Sequence, residues 1–337
     1  MRLIISLLLG GCMAGTVAHA EDRNPFAGRT INVLSPYDGS GSYPQIALAL
    51  ADELPKRLGA ANGVAQFMPG AGGLKMANYL YRLAPRDGTN IAILFDGTPA
   101  AQLYYAGQGV DYHADEFIPL GTLTRGDQSV LIVRSGSPIK SVFDARETEV
   151  VIGGAAAGAG NVVVPRGLNL VLGTRFKVLL GYPTMGSILL AMEQGEVDGT
   201  VINWSNLRQL KPDWIANKKI RVLAQVGFSR HKELPDTPLI SELANDERGR
   251  QTLQLVSANG ASGKGIVTTP SVTADRVALL RAAFIETTRA PEFIDLMKKQ
   301  TLDLDPQPPD FLSDATKRIL ATDPAVIADV RKVVDSN

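Results

Sequence analysis

Apolar residues in this chain fall on two alternating periods, and the alternation sets the first structural expectations. Residues 30–34 (TINVL) form a β-rich run, after which Ile46, Ala47, Leu50, Ala51 and Leu54 repeat at helical spacing until Gly59. Branched residues suit a pleated strand, whereas three-and-four spacing lays one apolar stripe along a helix. SPYDGSGS at 35–42 lies between them, so the order is strand, glycine-rich loop, helix. The unit recurs with a strand at 64–67, the turn PGAGG at 69–73, a helix over 74–83 stopped by PRDG at 85–88, and a strand at 90–95 closed by Asp96 and Gly97. Strands alternating with helices at this spacing predict βαβ units and a mainly parallel sheet.

An apolar strand at 129–133 opens a second segment on the same plan. Val150, Val151 and Ile152 run into a second glycine-rich loop, GGAAAGAG at 153–160, followed by a helix over 162–172. A strand at 176–180, a helix at 188–194, and strands at 199–202 and 221–226 complete it. The final third is helical, with clear stripes at 274–288 and 290–299. If those helices pack on the first segment, the expected organisation is 21–128 with 228–337 as one discontinuous α/β domain and 129–227 as another. The chain then crosses between them near 121–130 and 222–230, and two crossings make a hinge.

The N-terminus changes the picture. Arg2, an apolar run at 3–9, and Ala18 and Ala20 before Glu21 give the three-part layout of a secretory signal peptide over 1–20. The run is too short to span a bilayer, which takes roughly 20 residues. LGGC at 9–12 offers a second processing reading, with Cys12 lipidated at the mature N-terminus. Cleavage after Ala20 removes the only cysteine, so the secreted body holds no disulfide. The 34 Lys and Arg balance the 34 Asp and Glu, which leaves no field for nucleic acid or an anionic membrane surface.

Ligands of open α/β sheets bind beyond the carboxyl ends of the strands, where loops enter helix N-termini. Two loops take that position, Gly39 to Ser42 and Gly158, Ala159, Gly160 and Asn161, one in each segment. A helix start presents unpaired N–H groups and partial positive charge, so both suit an anion. Glycine in such places also serves simply to turn the chain. Asp96 either reaches the cleft or caps the next helix.

Beyond these patterns, MPGAGG at 68–73, APRDGT at 84–89, GEVD at 195–198, VLA at 222–224, Ser229 with Arg230, and LPDTP at 234–238 occur in one order. This ordered set resembles the Bug family of binding proteins, also called TctC, which serves tripartite tricarboxylate transporters. The resemblance runs from about residue 30 to the C-terminus. It implies a type II periplasmic-binding-protein fold, two Rossmann-like α/β domains around a hinged cleft that closes on a small organic carboxylate. It further implies a periplasmic receptor without cofactor, working as a monomer with integral-membrane transporter subunits. By position it assigns the first-domain loop to Tyr37, Asp38, Gly39, Ser40, Gly41, Ser42 and Tyr43. The 69–73 turn with Gly72 supports the pocket. Tyr182 and Thr184 fall in a second-domain loop, and Asp198 matches the motif aspartate. Asn203, just beyond that strand, is an added polar candidate.

One departure bears on the ligand. Tyr43 stands where the family often carries an aspartate, and the arginine that follows it there is missing. Tyr37 and Tyr43 either line the pocket or pack over the loop, and Asp198 either meets the ligand or holds loop amides. Arg125 and Arg166 are read as surface cations. Catalysis finds little support: besides His19 in the leader, only His113 and His231 occur, neither at metal-ligand spacing, and no nucleophile elbow is present. GASGKG at 260–265 lacks the spacing and hydroxyl of a phosphate loop. An enzyme on the same fold, or an adaptor presenting its closed form to a sensor, are the competing readings.

Overall fold

The computed structural model describes residues 24–39, 41–95, 97–126, 128–155, 159–260, 263–300 and 302–335. The expected leader, with Cys12, lies outside them. The chain runs β1 (Thr30–Ser35), α1 (Ser42–Leu58), β2 (Asn62–Phe67), α2 (Leu74–Arg82), β3 (Asn90–Ile93), α3 (Thr98–Tyr104) and β4 (Ile118–Thr122). It continues through β5 (Ser129–Arg134), β6 (Val150–Gly153), α4 (Gly160–Leu172), β7 (Phe176–Leu179), α5 (Met185–Gln194), β8 (Gly199–Asn203), α6 (Trp204–Leu210), α7 (Pro212–Ala216) and β9 (Ile220–Val226). It ends with α8 (Glu247–Val256), β10 (Gly265–Thr268), α9 (Ala274–Arg289), α10 (Pro291–Lys299), α11 (Pro309–Leu320) and α12 (Pro324–Asp335).

The strands build two sheets of matching order, β2-β1-β3-β10-β4 and β7-β6-β8-β5-β9. In each, three strands pair in parallel, as the alternation predicts. The sheets are mainly parallel, as expected, except for the fourth strand in each order, which is reversed. β10 runs antiparallel to β3 and β4, and β5 runs antiparallel to β8 and β9. Each reversed strand follows directly on a passage of chain between the sheets, so it needs no crossover helix to enter.

Helix α1 shows how the apolar stripe is used. Ile46, Ala47, Leu50, Ala51 and Leu54 are buried against the first sheet, and Gly59, in left-handed conformation at φ 63°, ends the helix by donating its N–H to the Pro55 carbonyl. Each fully buried Leu or Ile contributes about 1.5–3 kcal/mol. This helix therefore fixes where the loop before it must begin.

The chain passes from the first sheet to the second between β4 and β5. The return does not fall at 222–230. After β9 the chain stays on the second sheet: Ile240, Leu253, Leu255 and Val256 share a core with Leu131, Ile152 and Val201. Gln225 is the physical reason. Fully buried, it donates through Nε2 to the carbonyls of Leu234 (2.8 Å) and Thr237 (2.6 Å) and accepts the His231 amide at 2.7 Å. The proline-rich loop is thereby tied back onto β9, and the return to the first sheet waits until the approach to β10.

Two helical contacts also join the halves. Ala100 and Tyr104 of α3 enter the second sheet's core, where the buried Tyr104 hydroxyl donates to the Leu255 carbonyl at 2.7 Å. Helix α12 packs on both α4 and α8 through Val326, Val330, Val333 and Val334.

Candidate functional site

The first glycine loop leaves β1 at its carboxyl end. Ser35 Oγ donates to the Tyr37 carbonyl at 2.7 Å and accepts the Tyr37 amide, which folds the chain back. The Tyr37 hydroxyl donates to the Gly72 carbonyl at 3.3 Å, so the 69–73 turn does brace this loop. Asp38 and Gly39 are exposed, and Gly39 adopts φ 81°. Gly41 is the N-cap of α1, followed by Ser42 and by Tyr43, which is 9% exposed. The Tyr37 and Tyr43 rings meet edge to face at 5.0 Å. Tyr43 packs inward while Tyr37 stays exposed.

In the second half, Ala159 is the N-cap of α4 and accepts the Val162 and Val163 amides at 2.8 and 2.9 Å. Gly160 opens the helix, and the buried Asn161 accepts the Ala155 amide through Oδ1 at 3.2 Å, holding the loop from within. Asn203 ends β8 and is the N-cap of α6. Ser40, Asp96 and Gly158 lie outside the described residues.

Of three further expected contacts, Tyr182 and Thr184 follow β7 beside the second glycine loop, where the Tyr182 amide donates to the Gly154 carbonyl at 3.4 Å, and Asp198 lies away from it. Asp198 stands at the opposite end of β8 from Asn203, where it accepts from Arg134 Nη2 at 2.8 Å and from the Val151 amide at 3.0 Å. Its carboxylate ties β5, β6 and β8 together. Thr184 caps α5 in a reciprocal box with Ser187. The Tyr182 hydroxyl donates to Glu196 at 2.7 Å, on the approach to β8, and burial with that hydrogen bond pushes the phenol up to about 12. Among the two cations set aside, Arg125 pairs with Asp305 and Arg166 donates to the Val333 carbonyl.

The sequence reading missed the residues at the junction of the halves. A cavity of about 40 Å³ is bounded by Ser42 of α1, Thr124 of the first crossing, Ser205 and Asn206 of α6, Lys264, and Asp303. Lys264 is only 4% exposed, and its Nζ lies 4.1 Å from the centre of the Tyr43 ring. Arg208 of α6 bridges the halves. Its Nη2 donates to both oxygens of Asp303 at 2.9 and 3.2 Å, and its Nη1 donates to Glu233 at 3.0 Å. Glu233 also accepts from Trp204 Nε1 at 2.8 Å, and those contacts hold its carboxyl below the ordinary range. The available signal was a lysine between glycines just before an apolar strand, which resembled a phosphate loop too little to be pursued.

A larger groove of about 710 Å³ runs between α8 and α11, past Phe228, Arg250, Gln254 and Arg318, and touches none of the cleft loops. Among the described residues there is no cluster of three His, Cys, Asp or Glu side chains able to hold a metal. No described helix is long and apolar enough to cross a membrane.

Two α/β domains with one reversed strand in each sheet and paired loops at their strand ends define the type II periplasmic-binding-protein fold. Within that class the chain belongs to the tripartite tricarboxylate transporter family receptor (TctC) family, which matches residues 46–320. It is 26% identical over 322 residues to the "UPF0065 protein in tcbD-tcbE intergenic region" of Pseudomonas sp. (strain P51), covering 92% of this chain and 90% of that one. Its fold is similar to a TctC solute-binding protein from Polaromonas (TM-score 0.69, 17% identity, 90% and 98% coverage). It is also similar to MatC of Rhodopseudomonas palustris with bound malate (TM-score 0.62, 20% identity, 91% and 99%) and to an R. palustris protein with adipate (0.63, 20%, 89% and 97%). The family is one of solute-binding receptors.

Proposed function

We propose that this chain is a periplasmic receptor that captures a small organic carboxylate by domain closure and delivers it to the membrane subunits of a tripartite tricarboxylate-type transporter. The observation that carries the carboxylate is the pair of helix starts that follow the glycine loops. Lack of a side-chain cap alone does not single them out, since α2, α3 and α6 share it among the described residues. Helix α5 is capped by Thr184, and α8 by Asp246, whose Oδ1 accepts the Gly249 amide at 2.7 Å. Helices α1 and α4 start at Gly41 and Ala159, receive no side-chain cap from the described residues, and carry no acidic residue in the first turn. The positive dipole ends of these helix starts favour an anion. These two starts follow the glycine loops, one in each domain.

Only a closed arrangement brings both starts onto one ligand, so binding shifts the population toward closure. In this reading the contacts come from Tyr37 to Tyr43, from Gly158 to Asn161, and from Asn203, with Gly72 bracing and Asp96 at the end of the β3 loop. Asp198, Thr184 and the Tyr182 hydroxyl serve the framework instead. The second domain extends through α8 and takes back α12, so the two hinge passages lie between β4 and β5 and between α8 and β10. Malate and adipate in fold relatives, the leader at 1–20 and the family's receptor role support the assignment.

A thermal-shift screen against carboxylates tests it, since a ligand at about 100 times its dissociation constant adds roughly 2.7 kcal/mol. At least one carboxylate is expected to raise the melting temperature. A panel in which only neutral sugars or amines do so contradicts the proposal.

A further inference from the structure

At the root of each glycine loop stands a fully buried hydroxyl. In the first domain it is Ser35, whose hydrogen bonds stay within its own turn. In the second it is Thr200 on the neighbouring strand β8, whose Oγ1 donates to the Gly153 carbonyl at 2.8 Å, while the Val201 carbonyl stands farther off at 3.5 Å. Valine has nearly the same shape, suits a strand equally well and carries no polar atom into the core, so packing alone gives no reason for a hydroxyl here. The register shows what the hydroxyl joins. Ile152 of β6 lies opposite Gly199 of β8, so Gly153 and Thr200 are the next residues on the two strands. Past them, β6 gives way to the second glycine loop and β8 runs on to Asn203 and α6.

Other contacts lock the same root. A Cβ on Gly153 would stand 2.7 Å from Ile188 of α5, and one on Gly154 would stand 2.6 Å from Val162 of α4 and 2.9 Å from Val178 of β7. The Gly154 amide donates to the Leu179 carbonyl at 2.8 Å, and the Ala155 carbonyl accepts the Gly181 amide at 3.0 Å. These contacts seat the root against β7, α4 and α5. The Thr200 hydroxyl ties it to β8, the strand that carries Asn203.

Resting on the carboxylate reading, we propose that Thr200 is a positioning residue of that site, whose hydroxyl sets the second glycine loop against β8 so that the start of α4 and Asn203 meet the ligand together. Thr200 itself is fully buried and does not touch the ligand. Hydrogen bonds to a charged group weaken steeply as distance and angle depart from their optimum, so a loop that shifts against its neighbouring strand holds a carboxylate less well.

Calorimetric titration of the full secreted chain with malate, succinate, adipate, citrate and benzoate tests this on the wild type, Thr200→Val, Thr200→Ser and Thr268→Val, each well below its melting temperature. Thr268 is the matched control. It is also fully buried, and its Oγ1 donates to the Asn90 carbonyl at 2.7 Å, at the end of β3 away from the loops. Thr200→Val is expected to weaken the best-bound acid at least about tenfold, the worth of one hydrogen bond to a charged group, while Thr200→Ser keeps the hydroxyl and stays within about threefold of wild type. Thr268→Val is expected to lower the melting temperature as Thr200→Val does, with affinity unchanged. Should Thr200→Val fold poorly, Thr200→Cys, a weaker donor of similar size, is expected to lose affinity where Thr200→Ser does not. Wild-type affinity in Thr200→Val, or a loss that Thr200→Ser or Thr268→Val shares, overturns the positioning role and leaves the carboxylate receptor standing. A wild type that binds none of these acids overturns the carboxylate reading beneath it.

Discussion

Replacing Asp303 with Asn is expected to weaken ligand binding although residue 303 need not touch the ligand. Arg208 donates to both Asp303 oxygens across the domain junction and to Glu233 within its own domain, so the change removes one inter-domain ion pair and leaves the other arm of Arg208 engaged. The side chains are 35% and 51% exposed, and solvent screening holds such a pair to about 0.5–1 kcal/mol. At 1.4 kcal/mol per decade that is a factor of about two to five in the closure equilibrium. Where the ligand-free protein is mostly open, the apparent dissociation constant rises by the same factor. Calorimetry on Asp303→Asn, Arg208→Met and the double variant reads it, with X-ray scattering reporting the ligand-free compaction. The pair predicts equal losses in the single variants and no further loss in the double. Raising the salt should weaken the wild type more than Asp303→Asn, since both lose ligand attraction and only the wild type also loses the ion pair. Asp111→Asn, which breaks the Arg82 ion pair within the first domain, is the control and should bind normally. Unchanged affinity in Asp303→Asn, or strictly additive losses, refutes the reasoning.

Gln225→Ala strands the Thr237 carbonyl and the His231 amide, while the Leu234 carbonyl keeps the Thr237 amide, and at about 1–3 kcal/mol per stranded group it is expected to cost about 2–6 kcal/mol in urea unfolding. A loss below about 0.5 kcal/mol means the loop is held by something else. Asp198→Asn should lower stability by about 1–2 kcal/mol through its weakened hold on Arg134 and the Val151 amide, with ligand affinity unchanged. A large affinity loss at full folding returns Asp198 to the binding set. Burial, opposed mainly by Glu233, holds the His231 imidazole below its ordinary 6.5. The folded state therefore binds this proton less well than the unfolded chain, so the stability it contributes is present above pH 6.5 and lost as pH falls through the depressed value. NMR titration of His231 should show the depression, and His231→Gln should flatten the acid limb of the stability profile.

Much of the fold was legible because its strongest signals are local. The stripe at Ile46, Leu50 and Leu54 and the branched runs at 30–34, 129–133 and 150–152 each report burial of one face, and each becomes the expected helix or strand. The reversed strand β10 was not legible, since four buried residues between helices carry no period. The late second crossing was hidden for a different reason. It depends on Gln225, one polar side chain whose three hydrogen bonds exist only once the loop has folded back. The site divides the same way. The glycine loops announce themselves by composition, whereas the Tyr37 to Gly72 hydrogen bond appears only in the folded chain. Lys264 and the Arg208 to Asp303 pair join residues far apart in sequence, so no spacing rule reaches them. Asp198 shows the converse, a motif residue whose place in the sheet gives it framework partners.

The most direct measurement is a crystal structure of the secreted chain with the carboxylate that ranks first in the thermal screen. The account predicts a closed form with one carboxylate within hydrogen-bonding distance of the backbone amides opening α1 and of those opening α4. Density for the ligand in the groove between α8 and α11, or a carboxylate held by side chains away from both helix starts, would contradict it.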